Sequence, residues 1–336
     1  MNRRLLGGLT PREFLARHWQ KRPLIVQRAI AAPDFVDERA LAALGCRDDV
    51  ESRIVQRRGN RRETVHGPFA GIKPRKKDWT LLVNGVNHHV AAADELLRRF
   101  SFVPQARLDD VMVSYATPGG GVGPHVDSYD VFLVQGAGRR RWTVGRRTFV
   151  AAPGDLIYLP PGREHDGVAL EPCFTYSIGF RAPRGVELGA AFLDWLHERG
   201  LPDARYRDPR LAPTANPGRI PAEMISFTKH FLSRIRWNAK DAGSFLGQYL
   251  TQPKAHVVFS PARGNGQFIR LDGKTQLLYS GARFFINGEP FSLPRRDRAA
   301  MRELADRRGI AAKRLASQSK LIREWRRAGW LRLTRS

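Results

Sequence analysis

Between residues 111 and 180 the chain is a series of short β-branched and aromatic runs broken by glycine and proline. The runs fall at 111–116, 131–134, 141–144, 156–159 and 174–180. They are too short for core helices and are separated by turn signals, so they predict an antiparallel barrel or sandwich. Any site in this part of the chain must therefore be built on strands and the turns between them.

The flanks read differently. Thr10, Pro11 and Glu13 spell an N-cap, a first-turn proline and a capping-box acid, which predicts a helix, followed by a short strand at 24–26. Residues 34–46 and 91–100 read as helices. Residues 48–80 are basic and rich in breakers, with Arg57, Arg58, Arg61 and Arg62 on a hairpin or loop. After 183–185 the pattern turns helical, at 187–199, 222–236 and 241–250. Strand-like runs at 268–271 and 282–286, helical stretches at 295–308 and 311–328, and an apolar run at 330–333 complete a small mixed domain, read as winged-helix-like. The expected division is 1–185, 186–260 and 261–336.

Composition narrows the class. The 336 residues carry a net charge of +25, and residues 186–336 alone hold 28 basic and 13 acidic side chains. Such a surplus suits a nucleic-acid-rich partner. Two cysteines, Cys46 and Cys173, exclude a disulfide framework and a cysteine-rich zinc site, and fit a reducing cytosol. No run approaches the ~20 apolar residues of a membrane span, and neither a membrane association nor a signal peptide is expected.

The chemistry concentrates in the Gly119–Asp127 stretch, which ends Gly123-Pro124-His125-Val126-Asp127. In a strand, residues two apart share a face, so His125 and Asp127 can converge on one cation. With 9 histidines and 32 acids, about one His-x-acid pair arises by chance, so the pair alone is weak. A turn, the 156–159 strand and a second turn then lead to His165. Two imidazoles and a carboxylate on one face of an octahedron leave positions for O₂ and a bidentate co-substrate, which suits non-haem Fe(II); a four-coordinate zinc site is the competitor. Among Arg139, Arg140 and Arg141, alternation places the outer two on one face and Arg140 on the other, and leaves open which of them serves the site.

The chain resembles the JmjC-type ribosomal oxygenases. The resemblance runs through His66-Gly67-Pro68-Phe69, Leu82-Val83-Asn84-Gly85-Val86-Asn87-His88, Pro118–Asp127, Tyr129–Gly136, Arg139-Arg140-Arg141-Trp142, Gly179-Phe180-Arg181-Ala182-Pro183 and Phe285-Ile286-Asn287-Gly288-Glu289. It implies an α+β chain: a double-stranded β-helix (cupin or JmjC jelly roll) core, a helical dimerisation region and a C-terminal winged helix. It further implies a 2-oxoglutarate-dependent dioxygenase that hydroxylates an arginine side chain of a large-subunit ribosomal protein. His125, Asp127 and His165 become Fe(II) ligands and Arg140 the partner of the 2-oxoglutarate carboxylate, with Ser114 a second contact to it. Tyr129, Asp130 and Asp109 are candidates for the substrate side of the pocket. The resemblance also implies a cytoplasmic homodimer, and the charge suits contact with ribosomal RNA. Two other readings stand beside it: a basic ribosome- or nucleic-acid-binding protein with a degenerate cupin, and a JmjC demethylase. Only 37 residues separate Asp127 from His165, so residues 144–153 are expected to form a trimmed loop.

Overall fold

The computed structural model describes residues 3–59, 61–262 and 264–335. In chain order, α1 (Pro11–Arg17), β1 (Leu24–Val26) and α2 (Glu38–Gly45) lead into a hairpin of β2 (Ser52–Arg58) and β3 (Arg61–His66). Then come β4 (Trp79–Val83), α3 (Ala91–Arg98), β5 (Leu108–Ala116), β6 (Val131–Gln135), β7 (Arg140–Val144), β8 (Arg147–Ala151), β9 (Leu156–Leu159), β10 (His165–Ala169) and β11 (Cys173–Phe180). The capping box forms as read: the Glu13 N–H donates to Thr10 Oγ1 at 3.2 Å, and the Thr10 N–H donates to the Glu13 carboxylate at 2.8 Å.

Eleven strands make two facing sheets. The larger has the order β1-β9-β6-β11-β5-β4-β2-β3, and the smaller is β10-β7-β8. The unbroken apolar runs of β6 and β9 follow from covering both faces of the large sheet. On β6, Phe132 and Val134 join a core with Phe14, Leu97, Phe100 and Tyr158 under the helices. Its alternate residues Val131 and Leu133 pack with Trp142, Val144, Ala151, Ile157 and Leu159 between the sheets. The interior of this jelly roll is open toward one end, and the site lies there.

Three helices follow: α4 (Gly185–Glu198), α5 (Ala222–Ser233) and α6 (Ala239–Thr251). Their rings cluster locally, with Phe192 against Trp195, Trp237 and Phe245. The final unit comprises β12 (Phe268–Leu271), β13 (Leu277–Ser280), β14 (Arg283–Ile286), β15 (Glu289–Ser292), α7 (Arg295–Arg307), β16 (Gly309–Ala311), α8 (Ser319–Arg327) and β17 (Leu331–Thr334). Sheets β16-β12-β17 and β13-β14-β15 enclose Ile269, Phe284, Met301, Leu304 and Trp325 in one core. Arg308 ties this unit to the barrel: its buried guanidinium donates to the Thr275 and Asp272 carbonyls, and its Nε lies 3.9 Å from Asp94.

Three readings change. Residues 144–153 are not a bare loop: 147–151 form β8, paired in register with β7. The stretch 311–328 is not one helix: a 3₁₀ segment (Ala312–Gln318), interrupted at Leu315 by non-helical backbone, is followed by α8. His125 and Asp127 do not lie in a regular strand; the backbone there makes one isolated antiparallel bridge. Among the described residues no helix is long and apolar enough to cross a membrane.

Phe132 is fully buried, with Phe14, Phe100, Tyr158 and Phe180 around its ring. Phe132→Ala is expected to cost about 3–5 kcal/mol in urea unfolding, measured as a lowered midpoint with an unchanged slope.

Candidate active site

His125 and His165 are joined through their backbones. The His125 N–H donates to the His165 carbonyl at 3.1 Å, and the His165 N–H donates back at 2.9 Å. Residues that exchange both bonds in an antiparallel pair carry their side chains on the same face, and the two imidazole centroids lie 4.2 Å apart. Asp127 is anchored by its own carbonyl, which accepts the Gly162 N–H at 2.8 Å. One oxygen of its carboxylate is 3.7 Å from His165 Nε2. One ligand atom from each of the three residues lies within 4.8 Å of the others.

The imidazoles are oriented for ligation. Nδ1 of His125 faces the Gly123 carbonyl at 2.9 Å, and Nδ1 of His165 faces the Arg163 carbonyl at the same distance. A carbonyl accepts only, so Nδ1 carries the proton and Nε2 keeps its lone pair for a metal. Burial holds His165 below its ordinary pKa, and neighbouring His125 adds to this against the Arg163 carbonyl, so its ring is neutral, as a ligand must be.

Glycine makes the approach possible. A Cβ at Gly121 would collide with the carbonyl of Gly167 on β10, and a Cβ at Gly167 would lie 2.8 Å from the Trp142 ring. The backbone before His125 thus lies against the strand of His165 because Gly121 has no side chain, while Gly167 leaves room for the Trp142 ring on the neighbouring strand.

The three ligand residues line a cavity of ≈ 260 Å³ whose walls also include Ser114, Thr80, Arg140 and Trp142. β7 alternates as expected. Arg139 points outward and pairs with Glu171 at 3.1 Å, and Arg141 is exposed, while Arg140 is 5% exposed and faces the cavity. Its Nε and Nη2 have no hydrogen-bond partner in the protein. A buried guanidinium with free donors is costly unless an anion completes it. Ser114 Oγ reaches only the Thr175 carbonyl, at 3.5 Å, and Thr80 Oγ1 is buried without a partner. The donor set fits both expected groups: two neutral nitrogens and a carboxylate for Fe(II), and a guanidinium with hydroxyls for a carboxylate.

The cavity mouth carries Asp109, Asp110, Tyr129 and Lys254. Asp110 was not singled out by the sequence. Its carboxyl is pushed up to about 6 by burial and by adjacent Asp109. Asp130 does not belong to the mouth. It is fully buried and accepts from the Tyr158 hydroxyl at 2.6 Å, and from Gln20 and Arg107, so it braces the core. Alternation is the signal that exposes Asp110: with Met112 and Ser114 it forms the i, i+2, i+4 inner face of β5.

A facial set of two histidines and a carboxylate inside a jelly roll, beside a buried arginine with unpartnered donors, is the kind of site a non-haem iron oxygenase needs. The JmjC domain family matches residues 95–150 and 146–188, and a ROXA-like winged helix family matches 234–332. The chain belongs to the JmjC-domain ribosomal oxygenases. It is 35% identical over 323 residues to the ribosomal protein uL16 3-hydroxylase of Escherichia coli, covering 84% of this chain and 86% of that one. A probable ribosomal oxygenase of Haemophilus influenzae is 35% identical over 205 residues, covering 52% of this chain and 50% of that one. The crystal structure of E. coli YcfD superposes with a TM-score of 0.83 at 30% identity, covering 96% of this chain and 98% of that one. The YcfD complex with cobalt and 2-oxoglutarate superposes at 0.80 and 32% identity, with the same coverage.

Asp127→Ala removes the one anionic ligand and leaves the His125–His165 backbone bridge intact. It is expected to weaken Co²⁺ binding by more than about 100-fold in calorimetric titration, with an unchanged circular dichroism spectrum.

Proposed function

We propose that this chain is an Fe(II)- and 2-oxoglutarate-dependent hydroxylase acting on an arginine side chain of a large-subunit ribosomal protein. The observation that carries this reading is Arg140, a buried guanidinium with two unpartnered N–H groups in the cavity of His125, Asp127 and His165. Zinc hydrolases and inert cupins have no need of such a group.

In this reading His125, Asp127 and His165 would hold the metal at the cavity wall. Arg140, whose Nε and Nη2 are free, would hold the distal carboxylate of 2-oxoglutarate, as a lysine would not, with Ser114 and Thr80 lining the same cavity. When bound, the metal and co-substrate supply oxidation of a C–H bond by O₂, coupled to decarboxylation of 2-oxoglutarate to succinate. The chain's part is placement and exclusion of water. Trp142 and Leu133 wall the inner end, while Asp109, Asp110 and Tyr129 present negative charge and a ring to a guanidinium at the mouth. In a protein of net charge +25, these carboxylates, paired at present with Lys254 and Arg181, are what a substrate guanidinium would compete for. The E. coli relative's activity on uL16 supports a large-subunit substrate. The remaining positive charge suits ribosomal RNA around that substrate, in the cytoplasm.

Incubation with ribosomal proteins, Fe(II), 2-oxoglutarate and O₂ is expected to add +16 Da, the mass of one oxygen atom, to one large-subunit protein at an arginine. Arg140→Met is expected to abolish the addition while Co²⁺ binding persists. Formaldehyde release without retained oxygen would mark a demethylase, and salt-sensitive RNA binding without succinate would mark a binding protein; either result rejects the proposal.

We also propose a homodimer formed through α4–α6. Leu193 on α4, Ile225 and Leu232 on α5, and Trp237 between α5 and α6 are 56–66% exposed, a large apolar area for one surface. Light scattering is expected to give twice the 37.9 kDa chain mass, and Ile225→Glu with Leu232→Glu to halve it. A monomeric wild type rejects the interface.

A further inference from the structure

Among the residues lining the active-site cavity, only Lys254 comes from outside the β-barrel. It lies on the connector between α6 and β12. Its Nζ stands 3.2 Å from Asp109 Oδ1 and 3.9 Å from Asp110 Oδ2. Among the described residues it is the one cation within ion-pair distance of Asp110, which otherwise accepts the Gly85 N–H at 2.9 Å. Arg181 pins the connector at this height, with Nε 3.3 Å from Asp109 and Nη1 donating to the Leu250 carbonyl. A turn closed by the Val257 N–H on the Lys254 carbonyl, at 2.9 Å, then carries the chain away.

The slot that suits a cationic side chain thus already holds one. We propose that Lys254 is a resident pseudo-substrate: its ammonium occupies the Asp109–Asp110 slot until the incoming side chain displaces it, and this competition selects a guanidinium over an ammonium. The proposal rests on the hydroxylase reading above. An ammonium is a point charge, whereas a guanidinium presents paired N–H donors to carboxylates. Arginine therefore replaces Lys254 at a gain, while a substrate lysine exchanges like for like. The Lys254 side chain is 39% exposed, so its head reaches water on a flexible stem once displaced. Discrimination is set here by a competitor built into the chain as well as by contacts to the right substrate.

The test uses the full-length, iron-loaded protein, Lys254→Met and Lys254→Gln variants, and two peptides that differ only by arginine or lysine at the modified position. Both variants are expected to lower KM for the arginine peptide about fivefold, the scale of a partly exposed ion pair, with the effect on KM rather than kcat. The lysine peptide is expected to become a tighter competitive inhibitor, narrowing the arginine-to-lysine ratio. Unchanged or raised KM in both variants, with a lowered unfolding midpoint, would make Lys254 a structural tether and overturn the proposal. Calorimetric binding of the same peptides to the Co²⁺-loaded proteins separates the two failures. Tightened binding without turnover supports the slot and rejects the hydroxylase reading. Turnover with unchanged binding rejects the role of Lys254 alone.

Discussion

Two reciprocal hydrogen bonds between the backbones of His125 and His165 hold the centre of this molecule together. Their imidazoles meet because the peptide groups behind them meet, at 2.9 and 3.1 Å. Beside that contact Gly121 lies against the Gly167 carbonyl, with no room for a side chain at Gly121. The ligand geometry is therefore a property of backbone packing. The carbonyls of Gly123 and Arg163 complete it by setting both rings to the tautomer that offers Nε2. A side chain added at Gly121 would act on the metal site without touching a ligand.

Around this bridge, the large sheet is covered on both faces. Helices pack on Phe132, Val134 and Tyr158, and the small sheet packs on Val131, Leu133 and Ile157. Such a sheet has little freedom to deform; its strand β5 projects Ser114 into the cavity, and β7 of the facing small sheet projects Arg140. The unpartnered donors of Arg140 are a cost in the protein alone. They make sense when a co-substrate carboxylate is counted as part of the site.

Charge is distributed with the same economy. A net charge of +25 would repel a basic substrate at long range, so on the proposed reading Asp109 and Asp110 act at short range. There Lys254 and Arg181 restrain two adjacent carboxylates that would otherwise repel each other.

Much of this was legible before any fold was known, because side-chain identity declares chemistry. A histidine two before an aspartate, a third ligand beyond an apolar strand, and a run of arginines all announce a metal and an anion wherever they lie. The strands 131–134 and 156–159 were equally plain, since local β-propensity and burial point the same way there. Other features were hidden because they depend on contacts distant in sequence. Residues 165–169 contain a glycine and two polar residues and carry no strand signal; pairing with β7 and with His125 makes them β10. The 147–151 segment looked like a shortened loop until β7 gave it a partner. Asp130 seemed as available as Asp109, and only packing buried it beneath Tyr158. Lys254 lies in a connector with no motif, and a tether through Arg181 brings it to the pocket. The sequence by itself determined which atoms could bind a metal and an anion, because that is set by covalent structure. Tertiary structure alone decided which of them share a cavity, because that depends on hydrogen bonds and packing between segments far apart along the chain.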